Sequence, residues 1–338
     1  MDLNTIWFLL VAVLLTGYAI LDGFDFGVGT LHLFTKGEER RRVNLNAIGP
    51  VWDGNEVWLL TGGGALFAAF PIVYATVFSG FYLALMLLLF ALILRAVSME
   101  FRSKMDSPAW RSVWDWAFGI GSLLPAVLFG VALGNILRGI PIDSAGVFRG
   151  SFLGLLNPYS IIVGVLGLVG SVMHGAVYMT MKTEGDQRQW FIDWVNRSWV
   201  AFVVLYVLVS VATLFSAGFL FQSLLKNPVF WLLFVLLIVA MICVPVAVKN
   251  GKYFLGFLAS SSTILSMVGL AAVSLFPRLV PSSIDLAYSL TVYNASSTHR
   301  TLATMLVIAL IGMPLVLAYT ILIYRVFKGK VLLTKESY

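Results

Sequence analysis

The chain has little charge and almost no cysteine. Charged residues make up 11% of its 338 residues and apolar residues 60%, so most of its surface cannot face water. The single cysteine, Cys243, excludes an internal disulfide, a four-thiolate zinc site and an iron–sulfur cluster. Phosphate-binding glycine loops, nucleophile elbows and zinc-spaced histidine pairs are also missing from the sequence. We therefore predict a polytopic membrane protein without a catalytic centre or metal site of its own.

Apolar segments long enough to cross a bilayer as helices recur along the whole chain. At about 20 residues for each crossing, the sequence predicts nine spans in one integral membrane domain over residues 1–338: 6–34, 49–70, 72–97, 113–137, 158–180, 198–220, 229–248, 253–276 and 301–325. The first span has no basic residue before it and no small-residue cleavage site, so we expect it to be retained.

The basic residues predict the orientation of these spans. Of the 22 lysines and arginines, 17 lie on one side, in loops or at span ends, among them Lys335 near the C-terminus. The other side holds Arg138, Arg149, Lys226, Arg278 and Arg300. Basic loops stay in the cytoplasm, so we expect the N-terminus outside and the C-terminus inside. The net charge of +6 therefore reflects topology and not binding to nucleic acid.

The first span carries acids at its cytoplasmic end, in the segment LDGFDFGVG. The helical period places Tyr18, Asp22, Asp25, Gly29 and His32 within one arc. Two glycines four residues apart, at positions 23 and 27, lie on another face, with the spacing that lets membrane helices approach closely. This helix should lie inside a bundle, with one face polar and another close-packed.

Further acids fall at the same predicted depth in the next three spans. The second span begins with Asp53 and Glu56, the third ends with Arg95 and Glu100, and the fourth begins with Asp115. Ionisable groups in a membrane are costly and usually paired or functional, and carboxylates crowded in a low dielectric cannot all be ionised. Three interpretations stay open: ion pairing with the basic residues Arg95, Arg102, Lys104 and Arg111, or helix capping; a proton relay, favoured for Asp25 with Asp53; and a sodium site of oxygen ligands.

The histidines and the outer loop carry weaker signals. His32 and His174 both fall in cytoplasmic halves of spans, where a two-histidine haem is conceivable, but hydrogen-bonded packing is the more common role. Residues 277–300 are too polar to span a membrane and too long for a bare connector. They contain a formal glycosylation acceptor at Asn294, although the capping of the ninth helix by Ser297 or Thr298 also explains the motif.

Several long motifs resemble one known family. They are LDGFDFGVG at 21–29, GPVWDGNEVWL at 49–59, GGALFAAFPIVYATVFSGFY at 63–82, FRSK at 101–104 with WRSVWDW at 110–116, LLNPY at 155–159, and FPRLVPSSIDLAYSLTVYNASS at 276–297. In this order and spacing they are similar to subunit II of the cytochrome bd quinol oxidases. The resemblance covers nearly the whole chain and is weakest between residues 182 and 260.

The resemblance implies an all-α fold and a place in a respiratory enzyme. It implies two four-helix bundles, here about 6–137 and 158–276, plus one extra helix at 301–325. It also implies a bacterial or archaeal plasma-membrane heterodimer that passes electrons from quinol to O2. Two haems b and one haem d would lie in the partner, subunit I. In this family the complex also includes a small single-helix subunit and binds lipid and a structural quinone.

The resemblance also assigns roles to residues of this chain. Asp25, Asp53 and Glu100 would belong to a path for protons, with Asp22, Glu56 and Arg95 in support. Trp52 would contact quinone or lipid. The rival function that the buried acids leave open is a free-standing transporter coupled to protons or sodium.

Overall fold

The computed structural model describes residues 2–333, without the side chains of residues 222 and 223. Lys335, counted above among the basic residues of one side, lies outside the described residues. The described part contains twelve α-helices and two short strands: α1 (Leu3–His32), α2 (Glu38–Ile48), α3 (Trp52–Ala69), α4 (Pro71–Gly80), α5 (Tyr82–Phe101), α6 (Pro108–Arg138), α7 (Pro158–Lys182), α8 (Gly185–Ser216), α9 (Phe221–Leu224), α10 (Pro228–Lys249), α11 (Tyr253–Leu275), β1 (Arg278–Val280), β2 (Leu290–Thr291) and α12 (His299–Val326).

The helices are long and apolar enough for a multi-pass membrane protein. Within the described residues, eight helices each meet the length and hydropathy of a membrane span, and a ninth span results if α3 and α4 are counted as one broken span. The prediction of a helical membrane protein is therefore confirmed. The exact topology, including the side on which each terminus lies, stays a prediction.

The predicted start of the third span, at 72, is wrong. Residues 71–80 do not begin the third span; they form the separate helix α4, which is bent by 120° from α3, and the long helix α5 begins only at Tyr82. The break lies at Phe70, whose φ of −133° and ψ of 65° are not helical, directly before Pro71. Proline begins a new helix here because its missing N–H is not needed in a first turn. The predicted division between residues 70 and 72 coincides with this break. Hydropathy did not show that α4 and α5 are separate helices, since both are apolar.

Helix α1 lies at the centre of the packing. It contacts α3 and α6 of the first predicted bundle and also α7 and α11 of the second, so the division into two bundles stays a prediction. At Gly27 the backbones come so close that an added Cβ would overlap the carbonyl oxygen of Ser171 and lie 3.0 Å from the Cα of Gly175. The predicted close-packing role is therefore confirmed for Gly27. It is wrong for Gly23, where the nearest atom to an added Cβ is 3.9 Å away.

The segment between α11 and α12 folds against the first residues of the chain. Strands β1 and β2 pair in antiparallel orientation, and the Asn4 amide donates to the carbonyl oxygen of Val292 at 2.9 Å. Thr298 caps α12 by accepting a hydrogen bond from the Thr301 backbone N–H, as the blander interpretation of the Asn294 motif predicted. These contacts tie the start of α1 to the start of α12.

Candidate functional site

A buried arginine lies at the centre of the first charged cluster, between α1, α3 and α5. Arg95 is fully buried and binds both oxygens of the equally buried Asp22, with Nη1 2.7 Å from Oδ1 and Nη2 3.1 Å from Oδ2. Its Nη2 also donates to Glu56 Oε1. The ring of Phe26 covers the guanidinium at 4.5 Å. The predicted pairing of Arg95 with neighbouring acids is confirmed for Asp22 and Glu56, and bidentate geometry makes the first of these pairs strong.

Asp25 lies in the same region but has a different partner. It is fully buried, and its Oδ2 accepts a hydrogen bond of 2.7 Å from the Asn55 amide. Its Oδ1 is also buried and has no hydrogen-bond partner among residues 2–333. A buried carboxylate held by one neutral donor is expensive, whereas the carboxylic acid carries no charge. Asp25 is therefore chemically suited to bind and release a proton.

Asn55 of α3 is also hydrogen-bonded to helix α12. Its amide nitrogen also donates to the Leu21 carbonyl oxygen at 3.1 Å, and its Oδ1 accepts a hydrogen bond of 2.9 Å from the Tyr324 hydroxyl of α12. Helices α1, α3 and α12 thus meet at one amide side chain. The sequence analysis named neither Asn55 nor Tyr324. The polar run DGNE at the start of α3 was a local signal for Asn55, but Tyr324 lies 269 residues further along the chain and has no such signal.

The remaining predicted site residues lie at the surface of this chain. Asp53 is exposed in the first turn of α3, and Glu100 is exposed near the end of α5. The Asp25 side chain is instead held by Asn55. Trp52 is half-buried and packs against the main hydrophobic core. Glu56, with a side chain 19% exposed, lies between the surface acid Asp53 and the buried cluster.

A second charged cluster lies nearer the ends of α1, α5 and α6. Asp115 accepts from His32 Nε2 at 2.6 Å, from Arg41 Nη1 at 2.7 Å and from Arg102 Nε at 2.5 Å. Arg102 also binds both oxygens of Glu38 on α2, at 3.0 and 2.8 Å. Asp115 is thus an ion-pairing residue, as one interpretation predicted, and the N-cap of α6 is Ser107.

Contacts within this second cluster stabilise the ionised form of Glu38. Hydrogen bonds from Arg102 hold the pKa of Glu38 below its ordinary value, against a smaller opposing effect of burial. Helix α2 is too polar to cross a membrane and was absent from the predicted spans. Its link to Arg102 attaches it to the end of the helix bundle.

The two buried histidines are hydrogen-bonded to the protein. His174 places Nδ1 2.7 Å from Ser260 Oγ and Nε2 3.1 Å from the Ile20 carbonyl oxygen, and its ring stacks on Phe257 at 4.9 Å. The Nε2 atom of each histidine therefore already has a partner. This arrangement matches the hydrogen-bonded packing role and does not fit a haem iron held between the two Nε2 atoms.

Comparison with known proteins gives a consistent result over the full chain. The family described as cytochrome bd terminal oxidase subunit II matches residues 3–327. A probable cytochrome oxidase subunit 2 of Haemophilus influenzae is 39% identical over 97% of this chain and 95% of its own length. The cytochrome bd ubiquinol oxidase subunit 2 of Bacillus subtilis is 38% identical over 98% and 97%, and the cytochrome bd-I ubiquinol oxidase subunit 2 of Escherichia coli is 35% identical over 99% and 96%. A chain of the bd oxidase structure from Geobacillus thermodenitrificans shares the fold, with a TM-score of 0.81 at 18% identity, covering 97% of this chain and 99% of that chain.

Proposed function

Because the chain belongs to the subunit II family of cytochrome bd terminal oxidases, we propose that it helps to deliver protons from the cytoplasm for the reduction of O2 to water by a quinol oxidase complex. In this proposal subunit I holds the haems, which supply the electron transfer to O2, and this chain stabilises that subunit in a bacterial plasma membrane. Reducing O2 to water consumes one proton for each electron. The complex therefore needs a path for protons to the site of O2 reduction, and we propose that this chain supplies part of it.

The neutral environment of Asp25 is the observation that supports the proposal. Among the acids of the first cluster, Asp22 and Glu56 share the guanidinium of Arg95, whereas Asp25 is held by the neutral amide of Asn55. A proton on Asp22 would break its bidentate ion pair with Arg95. Asp25 can take up a proton on Oδ1, where a new O–H bond forms, and then pass it on without breaking an ion pair.

The exposure of the neighbouring acids supports a direction for the path. Asp53 is exposed, Glu56 is half-buried and Asp25 is fully buried. We propose that protons reach Asp25 from the surface past Asp53 and Glu56, with Glu100 near the mouth of the path. Asp22 and Arg95 then hold α1 and α5 in place. Trp52 at the start of α3 is proposed to contact lipid or a structural quinone.

Turnover of the purified two-subunit oxidase tests the proposal. Asp25→Asn keeps the hydrogen bond to Asn55 sterically possible but removes the exchangeable proton, so we expect normal assembly and haem content with slower quinol-dependent O2 consumption. Asp53→Asn should slow turnover less, because an exposed acid can be bypassed by water. Asp106→Asn is the matched control, since Asp106 is fully exposed and pairs only with Arg111 among the described residues. Wild-type turnover in both Asp25→Asn and Asp53→Asn would refute the proton-delivery role.

A further inference from the structure

Helix α12 is the least buried of the long helices, yet one of its side chains reaches the buried acids. Only Leu302 is buried along the described length of α12. Near its other end, the Tyr324 hydroxyl donates to Asn55 Oδ1 at 2.9 Å. We infer that Tyr324 is a positioning residue: it orients Asn55 and thereby determines which oxygen of Asp25 exchanges its proton. This inference rests on the proposed function of Asp25.

The orientation of the Asn55 amide follows from its three partners. The Leu21 carbonyl oxygen can only accept a hydrogen bond, so the amide nitrogen must face it, at 3.1 Å. The Tyr324 hydroxyl lies on the opposite side of the amide and donates to its oxygen. A reversed amide would place its oxygen against the Leu21 carbonyl and lose that bond. Leu21 thus selects the orientation of the amide, and the Tyr324 hydroxyl holds the amide oxygen in that orientation by donating to it.

The oriented amide makes the two oxygens of Asp25 different. Asp25 Oδ2 accepts from Asn55 at 2.7 Å, whereas Oδ1 is buried without a partner among residues 2–333. A proton that arrives at the carboxylate therefore binds Oδ1, and the Asn55 bond to Oδ2 is kept. When the proton leaves, the same O–H bond breaks and the carboxylate is again held only through Oδ2. The hydrogen bond from the Asn55 amide to Oδ2 is kept during both steps.

The Tyr324 ring has a contact that does not depend on its hydroxyl, so the hydroxyl can be removed without losing that contact. The Tyr324 ring meets the Phe24 ring edge-on, with centroids 6.5 Å apart. Tyr324→Phe keeps this contact and removes only the hydroxyl. A single hydrogen bond of this kind changes an equilibrium by roughly two- to tenfold, and the measured effect should fall in that range.

A double-mutant cycle in the two-subunit oxidase tests whether Tyr324 acts through Asp25 or only supports the fold. We expect Tyr324→Phe to retain haem content and to slow quinol-dependent O2 consumption by about two- to tenfold. It should also move the pH dependence of turnover to higher pH, because a looser Asn55 donates less well to the ionised carboxylate. In the Asp25→Asn background, the same substitution should have no further effect. Tyr319→Phe is the matched control, since Tyr319 lies on the same helix with its side chain exposed.

The outcomes distinguish this inference from the function on which it rests. If Asp25→Asn turns over at the wild-type rate, proton delivery by Asp25 fails. If Asp25→Asn is slow but Tyr324→Phe behaves like Tyr319→Phe, or slows both backgrounds equally, Tyr324 does not act through Asp25 and the inference is overturned. Should Tyr324→Phe lose haem, Asn55→Leu takes its place in the cycle, because it removes the whole amide at similar volume.

Discussion

Replacing Arg95 by glutamine should strongly destabilise the protein. Arg95 and Asp22 are both fully buried and joined by two hydrogen bonds of 2.7 and 3.1 Å. Without the guanidinium, Asp22 becomes a buried charge without a cation, and Glu56 loses the same partner. Breaking a buried ion pair from one side costs about 3 to 5 kcal/mol. Glutamine can donate only two hydrogen bonds and carries no charge, so it recovers a small part of this loss.

The measurement is the rate at which the purified complex loses its haem absorbance and monodisperse size-exclusion peak at a fixed elevated temperature. Heating a membrane complex is irreversible, so the rate is the proper measure of stability. Arg111→Gln is the control: its partners Asp106 and Glu38 are both exposed, and such pairs contribute about 1 kcal/mol or less. Adding Asp22→Asn to Arg95→Gln should slow the loss, because the unpaired charge is then gone. Equal rates for Arg95→Gln and Arg111→Gln would refute the reasoning.

Two further predictions concern packing and pH. Gly27→Ala should reduce the yield of assembled complex, because its methyl group overlaps the Ser171 carbonyl oxygen. Gly23→Ala, on the same helix, should assemble normally, because the atom nearest to its methyl group is 3.9 Å away. Equal yields would contradict the packing argument. The lowered pKa of Glu38 means that its pairing with Arg102 stabilises the fold above the unfolded pKa and is lost as the pH falls through the lower folded value. Glu38→Gln should therefore lose less stability than the wild type on acidification below the ordinary glutamate pKa of 4.5, measured by the same heating assay, and a parallel loss in both proteins would rule this contribution out.

Hydropathy predicted the long helices well because each one is a continuous apolar run. It placed α7 at 158–180, within two residues of the observed Pro158–Lys182. It divided the second and third spans at the break where the backbone turns by 120°, but it missed that α4 and α5 are separate helices, because both are apolar. It also began the sixth span at 198, whereas α8 begins at Gly185, because the first residues of α8 are polar and an apolar window does not detect them.

The candidate site was predictable only where charge decided the contact. Asp22 and Arg95 were expected to pair, since a buried charge needs an opposite charge, and they do. The pairing of Asp25 with Asn55 was not expected, because a neutral amide gives no electrostatic signal in a sequence. The proposed link of Asp25 with Asp53 also assumed that equal depth means proximity. Depth follows from position along a helix, but the face toward which a side chain points depends on how neighbouring helices rotate.

The neutral partner is what makes Asp25 different from Asp22, although the two acids lie one helical turn apart. Arg95 holds Asp22 in a bidentate ion pair, which a proton on Asp22 would break. An amide donates to the carboxylate and also tolerates the acid, because the unoccupied Oδ1 accepts the proton while Oδ2 keeps its bond. No ion pair therefore has to break when Asp25 takes up or releases a proton. A cation at the position of Asn55 would hold the carboxylate in an ion pair and would make proton uptake costly.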